Sequence, residues 1–177
     1  AVNAMREELL NYQRQFFKDA ISESAKDPAK AYIFGSSRDH VRAMYLAEIL
    51  VLQGIDIYHT SSTHTVNGKT FTPESRYLIP LNQPQYRLIK SMFEKRTKFE
   101  DSLFYDISSW TLPLAFGMEY EELKGGVKPG EKITEVKISP GKRIDGNTEY
   151  AYVFETYGYY APRAIYRLLS NGLRVKV

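Results

Sequence analysis

The stretch AYIFGSSRDHVRAMYLAEILVLQGIDIY, residues 31–58, decides the fold that the sequence predicts. Its first four residues are apolar or aromatic and are typical of a buried strand. Apolar residues then recur at helical spacing from Ala43 to Val51, and Gly54 provides a stop. A second, largely apolar strand follows at 55–58. Two such strands joined by a helix indicate a βαβ unit within a parallel sheet.

The same alternation of strand and helix recurs twice along the chain. A strand predicted at 76–81 leads into a helix that begins near Pro84, a residue suited to a first helical turn. A strand at 150–154 leads into a helix at 161–169, and the alternating residues 173–177 indicate a last strand. We therefore predict a flavodoxin-like, doubly wound α/β fold with a mostly parallel sheet and helices on both faces.

Two less regular regions add an edge hairpin or insertion to this fold. Asn67 and Gly68 form the pair that marks a tight hairpin turn. The alternation at 133–138 is typical of an edge strand or insertion, and a second turn is predicted at 145–147.

The chain divides into a first helix and one domain. Residues 5–25 have helical spacing and end before Pro28, so we predict that 1–28 form a lead-in helix or linker from an upstream domain. The α/β domain then covers 29–177. Because no leader precedes it and an alternating strand pattern ends it, we expect an excised part of a longer protein, cut at its C-terminal end.

Composition excludes several classes of function. The 24 basic and 21 acidic residues are mixed along the chain and leave a net charge of +3, which does not indicate a nucleic-acid partner. No apolar stretch approaches the roughly 20 residues of a membrane span. With no cysteine, the chain has no thiolate zinc site and no cysteine nucleophile.

Three groups of residues lie where a doubly wound sheet binds ligands, after the strands. The loop from Gly35 to Asp39 could cradle a small anion, or Ser36 and Asp39 could cap the following helix. The three tyrosines at 157, 159 and 160 could stack on a sugar or peptide, dock a partner, or pack under a loop. The candidate ligand-binding residues are Ser36, Ser37, Arg38, Asn82, Gln83, Tyr157 and Tyr159.

Catalytic and metal-binding patterns are missing from the sequence. The histidines at 40, 59 and 64 lack the spacing that puts two metal ligands on one face, and Gly-x-Ser-x-Gly does not occur. There is no dinucleotide fingerprint or phosphate loop. Asp106 and Glu155 remain one hypothesis for an acid–base pair. We expect no catalytic residue, no bound metal and no cofactor in this chain.

Two stretches, 77–84 and 104–117, are distinctive. They resemble the segment downstream of the catalytic domain in bacterial secreted proteins related to zinc carboxypeptidases, above all in the Tyr-Asp-x-Ser-x-Trp-Thr-Leu-Pro motif around Trp110. The resemblance implies a class I glutamine amidotransferase-like domain, with 150–177 as its closing strand, helix and strand. It also implies a secreted or periplasmic location.

The resemblance implies few of the family's catalytic residues in this chain. The family holds zinc with a His-x-x-Glu motif and a distant histidine, which have no match here, so zinc is expected in an upstream peptidase domain of the same protein. A working amidotransferase would carry cysteine where Asn82 and Gln83 stand. The leading hypothesis is a non-catalytic accessory domain of a metallocarboxypeptidase-related protein that acts in proteolysis. The alternative is a stand-alone binding module for a small anion, peptide or glycan at the strand ends.

Overall fold

The computed structural model describes residues 3–60, 62–72, 76–95, 111–125, 128–137, 147–148 and 150–176. The helices in these ranges are α1 (Arg6–Lys26), α2 (His40–Leu52), α3 (Tyr86–Phe93), α4 (Leu112–Ala115) and α5 (Ala161–Ser170). The strands are β1 (Ala31–Gly35), β2 (Ile57–Thr60), β3 (His64–Val66), β4 (Lys69–Phe71), β5 (Arg76–Pro80), β6 (Glu119–Leu123) and β7 (Pro129–Ile133). The four longer helices lie close to the ranges that apolar spacing predicts, because that spacing marks a buried helical face.

The sheet corrects the predicted fold class. Five strands lie in the order β6-β1-β5-β2-β7, and every neighbouring pair is antiparallel. The prediction of a mostly parallel, flavodoxin-like sheet was therefore wrong. β1 and β2 do run in the same direction, but β5 lies between them and pairs with both. The pattern of strand, helix and strand does not reveal whether a third strand enters between the two.

The connectivity gives the sheet a recognisable topology. Two units, β1-α2-β2 and β5-α3-β6, follow one another along the chain. Numbered by their order in the chain, these four strands lie side by side as 4-1-3-2, with β7 added beyond β2. This is the split βαβ, or ferredoxin-like, arrangement.

The two faces of the sheet are covered by different elements. On one face, Tyr32 and Phe34 pack with apolar residues of α2 and α3. On the other, Ala31 and Ile33 pack with Phe71 of the β3–β4 hairpin. Because both faces are covered, every residue of β1 is buried. An uninterrupted apolar strand is thus compatible with an antiparallel sheet as well as with a parallel one.

The hairpin turn that the sequence predicts at 67–68 is confirmed. Asn67 has φ 50° and Gly68 has φ 77°, and β3 and β4 pair around them. The hairpin is a separate two-stranded sheet that packs on a face of the main sheet. The edge strand of the main sheet next to β2 is β7.

The strands predicted near the end of the chain differ from the observed structure. Residues 150–155 and 173–176 join no sheet within the described ranges. β7 ends where the strand predicted at 133–138 begins. Residues 138–146, which include most of the second predicted turn, lie outside the described residues.

Helix α1 is anchored through its C-terminal half. Ala20 and Ser24 are buried, and the guanidinium group of Arg87 donates two hydrogen bonds, of 2.6 and 2.9 Å, to the carboxylate of Glu23. The same guanidinium lies 4.4 Å from the centre of the Phe16 ring. No helix in the described ranges combines the length and the apolar content that a bilayer crossing requires.

Candidate binding surface

The antiparallel sheet separates two of the groups that the sequence places together. Ser36, Ser37 and Arg38 follow the carboxyl end of β1, and Asn82 and Gln83 follow that of β5. In the register of these strands Gly35 pairs with Arg76 and Ala31 with Pro80, so the two carboxyl ends lie at opposite edges. At about 3.4 Å per residue they are roughly 14 Å apart along the strands. The two groups of candidate residues therefore lie at opposite ends of their strands.

Gln83 has a structural role. Its side chain is buried, and its carbonyl oxygen accepts a hydrogen bond of 2.7 Å from the amide N–H of Asp56. Its amide nitrogen donates to the carbonyl oxygens of Asp56, at 3.1 Å, and Pro80, at 2.6 Å. The side chain therefore ties the start of β2 to the end of β5. Asn82 beside it is exposed.

The loop before α2 satisfies its own backbone. The hydroxyl of Ser36 accepts hydrogen bonds from the amides of Arg38, at 3.2 Å, and Asp39, at 2.9 Å. Asp39 is the helix N-cap and accepts from the amide of Arg42 at 3.1 Å. Because a carboxylate already occupies the start of the helix, this loop favours the capping interpretation over the anion cradle.

The structure places Arg38 beside Tyr157 and groups three neighbouring tyrosines with one another. We call Tyr45, Tyr157, Tyr159 and Tyr160 the tyrosine cluster. The guanidinium of Arg38 lies 5.9 Å from the centre of the Tyr157 ring. The rings of Tyr45 and Tyr159 are 5.0 Å apart, and those of Tyr159 and Tyr160 are 5.1 Å apart. The sequence alone did not identify Tyr45, because one tyrosine within a helix carries no distinguishing signal.

Hydrogen bonds raise the pKa of two phenols of the cluster. The bond between the hydroxyls of Tyr45 and Tyr160, with partial burial, raises the pKa of Tyr45 to about 12. The hydroxyl of Tyr157 donates to the carboxylate of Glu155, and this bond raises the pKa of Tyr157. Neutral hydroxyls on aromatic rings suit stacking and hydrogen bonding rather than proton transfer at neutral pH.

Next to the cluster lies a groove of about 530 Å³, which we call the α5 groove. It is lined by Tyr150, Ala151, Tyr152, Val153, Phe154, Thr156, Ile165, Leu168, Arg174, Val175 and Lys176. Ile165 and Leu168 belong to α5, and the other lining residues lie at 150–156 and 174–176, which are neither helix nor strand. The amphipathic spacing of α5 was visible in the sequence, but it predicted a covered helix.

A larger cleft of about 990 Å³ follows β6, and several of its charged side chains are paired. The ammonium group of Lys69 lies 2.6 Å from the carboxylate of Glu121, and the hydroxyl of Tyr32 donates to Glu122 at 2.8 Å. Burial raises the pKa of Glu121, but hydrogen bonds from Lys69 and Asn67 outweigh burial and hold this pKa below its usual range. These contacts give Lys69, Glu121 and Glu122 structural roles.

The described residues form no group of three or more metal-ligating side chains. The ring of His59 lies 5.8 Å from that of Tyr77, and His64 contacts the hydroxyl of Ser62 at 3.3 Å. Asp106, which could have formed an acid–base pair with Glu155, lies outside the described residues, as does Trp110.

The chain matches no family model, no curated protein and no solved structure. The function is therefore inferred from the residues themselves, and the tyrosine cluster and the α5 groove are the surfaces that remain after the structural contacts are assigned.

Proposed function

We propose that this chain is a non-catalytic accessory domain of a secreted, zinc-metallocarboxypeptidase-related protein, and that it works by docking to other parts of that protein. The zinc and the peptidase residues belong to an upstream domain in this proposal. Because the sheet is antiparallel, the proposal does not include the flavodoxin-like fold. It keeps only the accessory role and the parent protein from the resemblance.

The distribution of exposed apolar side chains carries the proposal. The described residues include seventeen large hydrophobic side chains that are exposed, and fifteen of them lie at 5–21 or 150–173. Only Leu52 and Leu114 lie elsewhere. Large contiguous apolar patches on soluble proteins mark contact surfaces. Both flanking segments of the ferredoxin-like core thus have the character of surfaces that contact neighbouring protein.

The roles found for the candidate residues support a structural rather than a catalytic chain. Gln83 uses its amide to join β2 and β5. Ser36 bonds to its own loop, so its hydroxyl is committed to capping.

Two measurements test the proposal. The isolated chain, with zinc added, is assayed for release of C-terminal residues from peptides and for ammonia release from glutamine. We expect turnover by neither route, and turnover by either one would overturn the non-catalytic role.

The second measurement is the reading frame that encodes the parent. A signal peptide followed by His-x-x-Glu and a later histidine and glutamate, all upstream of this chain, is the expected result. A frame with a different upstream enzyme would contradict the assignment of the parent.

A second candidate function is a binding surface for a glycan or peptide, favoured by the contact of Arg38 with the tyrosine cluster. Exposed aromatic faces beside a guanidinium suit stacking on such ligands. In this case Arg38→Ala and Tyr159→Ala weaken saturable binding in a glycan and peptide screen. Tyr12→Ala, which changes an exposed tyrosine of α1, serves as the matched control and leaves binding unchanged.

A further inference from the structure

Phenol side chains of the tyrosine cluster connect two parts of the chain that are far apart in sequence. The ring of Tyr159 lies 5.0 Å from that of Tyr45, in α2, and 5.1 Å from that of Tyr160, measured between ring centres. The hydroxyls of Tyr45 and Tyr160 are hydrogen-bonded to each other. Tyr160 is the N-cap of α5, so these contacts hold the start of α5 against α2.

Two phenol rings in contact are the reactants of an oxidative coupling. A one-electron oxidant converts a phenol into a phenoxyl radical, and two such radicals join through ring carbons next to their hydroxyls. Because the fold holds both rings together, the coupling becomes a reaction within one molecule, which favours it over coupling between molecules. The rings of Tyr45 and Tyr159 are inclined at 55°, and directly bonded aromatic rings are likewise twisted rather than coplanar.

Both rings are accessible from solvent. Tyr159 is 48 % exposed, and Tyr45 is half-buried. Reactive thiols are common targets of oxidants in proteins, and the sequence has no cysteine. No thiol of the chain therefore consumes an oxidant before it reaches these phenols.

We infer that the tyrosine cluster is an oxidative cross-linking site, at which Tyr45 and Tyr159 form a dityrosine when a peroxidase and hydrogen peroxide are supplied. Each phenol gives up one electron and its hydroxyl proton, and the two radicals form a carbon–carbon bond. The hydrogen on each bonded carbon then leaves as a proton while the phenol oxygen regains one. One molecule of hydrogen peroxide accepts the two electrons and two protons and becomes two molecules of water.

The cross-link attaches the segment before α5 covalently to α2. Because it closes a long loop of the chain, it lowers the entropy of the unfolded state and should raise the urea concentration at which the protein unfolds. This inference goes beyond the proposed function and does not depend on it.

The test treats the full chain, at low concentration, with a haem peroxidase and a limiting amount of hydrogen peroxide. The monomer is then separated from any cross-linked oligomer by denaturing gel filtration. We expect the monomer fraction to show the blue fluorescence of dityrosine. After proteolysis, mass spectrometry should find the peptides that contain Tyr45 and Tyr159 joined together, with the loss of two hydrogen atoms.

Variants of the chain locate the cross-link. Tyr45→Phe and Tyr159→Phe keep the rings but remove the phenols, so each should lower the dityrosine fluorescence of the monomer by about fivefold or more. Their circular dichroism should match that of the wild-type chain. Tyr160→Phe keeps both reacting phenols and should still give the same joined peptides. The matched control is Tyr12→Phe, because Tyr12 is 70 % exposed but lies in α1, and it should leave the fluorescence unchanged.

Three results would overturn the inference. The first is dityrosine that occurs in oligomers but not in the monomer, because the coupling would then take place between molecules. The second is monomer fluorescence that Tyr45→Phe leaves unchanged. The third is a joined peptide pair that lacks Tyr159.

Discussion

At the scale of single residues, Gln83 is the clearest case of a side chain whose role follows from its bonds. Its buried amide satisfies the N–H and C=O of Asp56 and the C=O of Pro80. Replacing it with leucine leaves three backbone groups without this partner. We expect Gln83→Leu to lower the free energy of unfolding by about 2–4 kcal/mol, because each unsatisfied buried group costs about 1–3 kcal/mol. Urea denaturation measures this loss.

The neighbouring residue provides the control for Gln83. Asn82 is exposed, so Asn82→Ala should change the free energy of unfolding by less than about 0.5 kcal/mol. If Gln83→Leu were as stable as the wild-type chain, the ligand-binding role predicted from the sequence would be favoured over the structural one.

Asp27 makes the stability of the chain depend on pH. Its side chain is 8 % exposed and accepts hydrogen bonds of 2.8 Å from the hydroxyl of Tyr86 and from the amide of Ala29, with the ammonium group of Lys90 at 3.1 Å. Burial raises the pKa of Asp27, but these three partners outweigh burial and hold the pKa below its usual value.

A depressed pKa in the folded state means that the carboxylate of Asp27 stabilises the fold fully above its unfolded pKa of about 3.9. This stabilisation is lost as the pH falls through the folded pKa. We expect Asp27→Asn to lower the free energy of unfolding by about 2 kcal/mol at neutral pH, and this difference should become smaller in acid. Urea denaturation of both proteins from pH 7 down to about pH 3 measures the difference.

The control for Asp27 lies on α1 itself. Asp19 contacts the exposed side chain of Gln15, so Asp19→Asn should change the free energy of unfolding little at neutral pH. If the loss of unfolding free energy caused by Asp27→Asn were the same at every pH, the charge of the carboxylate would contribute nothing to stability.

At the scale of elements, the β3–β4 hairpin depends on the backbone of its turn. Gly68 has φ 77°, a conformation that costs other residues about 1–2 kcal/mol, and an added Cβ would meet no atom within 4 Å. Gly68→Ala should therefore destabilise the protein by about 1 kcal/mol through backbone strain alone. Thermal or urea denaturation measures the change.

The matched control for the turn is Gly125→Ala. Gly125 also has open space around its Cα, but it does not have a positive φ. The same substitution there should be neutral or slightly stabilising. Equal losses at both positions would contradict the assignment of the effect to the turn.

The four longer helices and the hairpin turn were predictable from the sequence because their determinants are local. Apolar spacing and a stop at Gly54 define α2, and adjacent turn residues define the hairpin. Strand pairing was not predictable in the same way, since β5 enters between β1 and β2 from a distance in sequence. Direction and order in a sheet are set by long-range packing, which one sequence does not encode in any local pattern.

That difference also bears on where the candidate residues lie. Arg38 lies beside Tyr157, and Tyr159 lies beside Tyr45 and Tyr160, although the sequence placed them with a parallel sheet that the chain does not form. Asn82 and Gln83 were assigned to the same edge by that sheet, and the antiparallel register puts them at the opposite one. The α5 groove was not predicted, because its helix looked covered.

At the scale of the whole molecule, the core and the segment at 150–176 make separate contributions. Both hydrophobic clusters of the sheet draw their buried residues from 29–133. The exposed apolar residues of the C-terminal segment lie outside these clusters. A chain that ends at 148 should therefore still give the far-ultraviolet circular dichroism of a folded protein. Its free energy of unfolding should be lower than that of the full chain by less than about 1 kcal/mol.

The same truncation should reduce the binding of a hydrophobic dye such as anilinonaphthalene sulfonate, because it removes ten of the exposed large hydrophobic side chains. Deleting residues 1–28 provides the contrast, since it removes Glu23 and Asp27 from Arg87, Tyr86 and Lys90. That deletion should lower the free energy of unfolding by about 2 kcal/mol or more. Unfolding of the chain that ends at 148 would instead make 150–176 part of the core, and the α5 groove would then be a defect in packing rather than a docking surface.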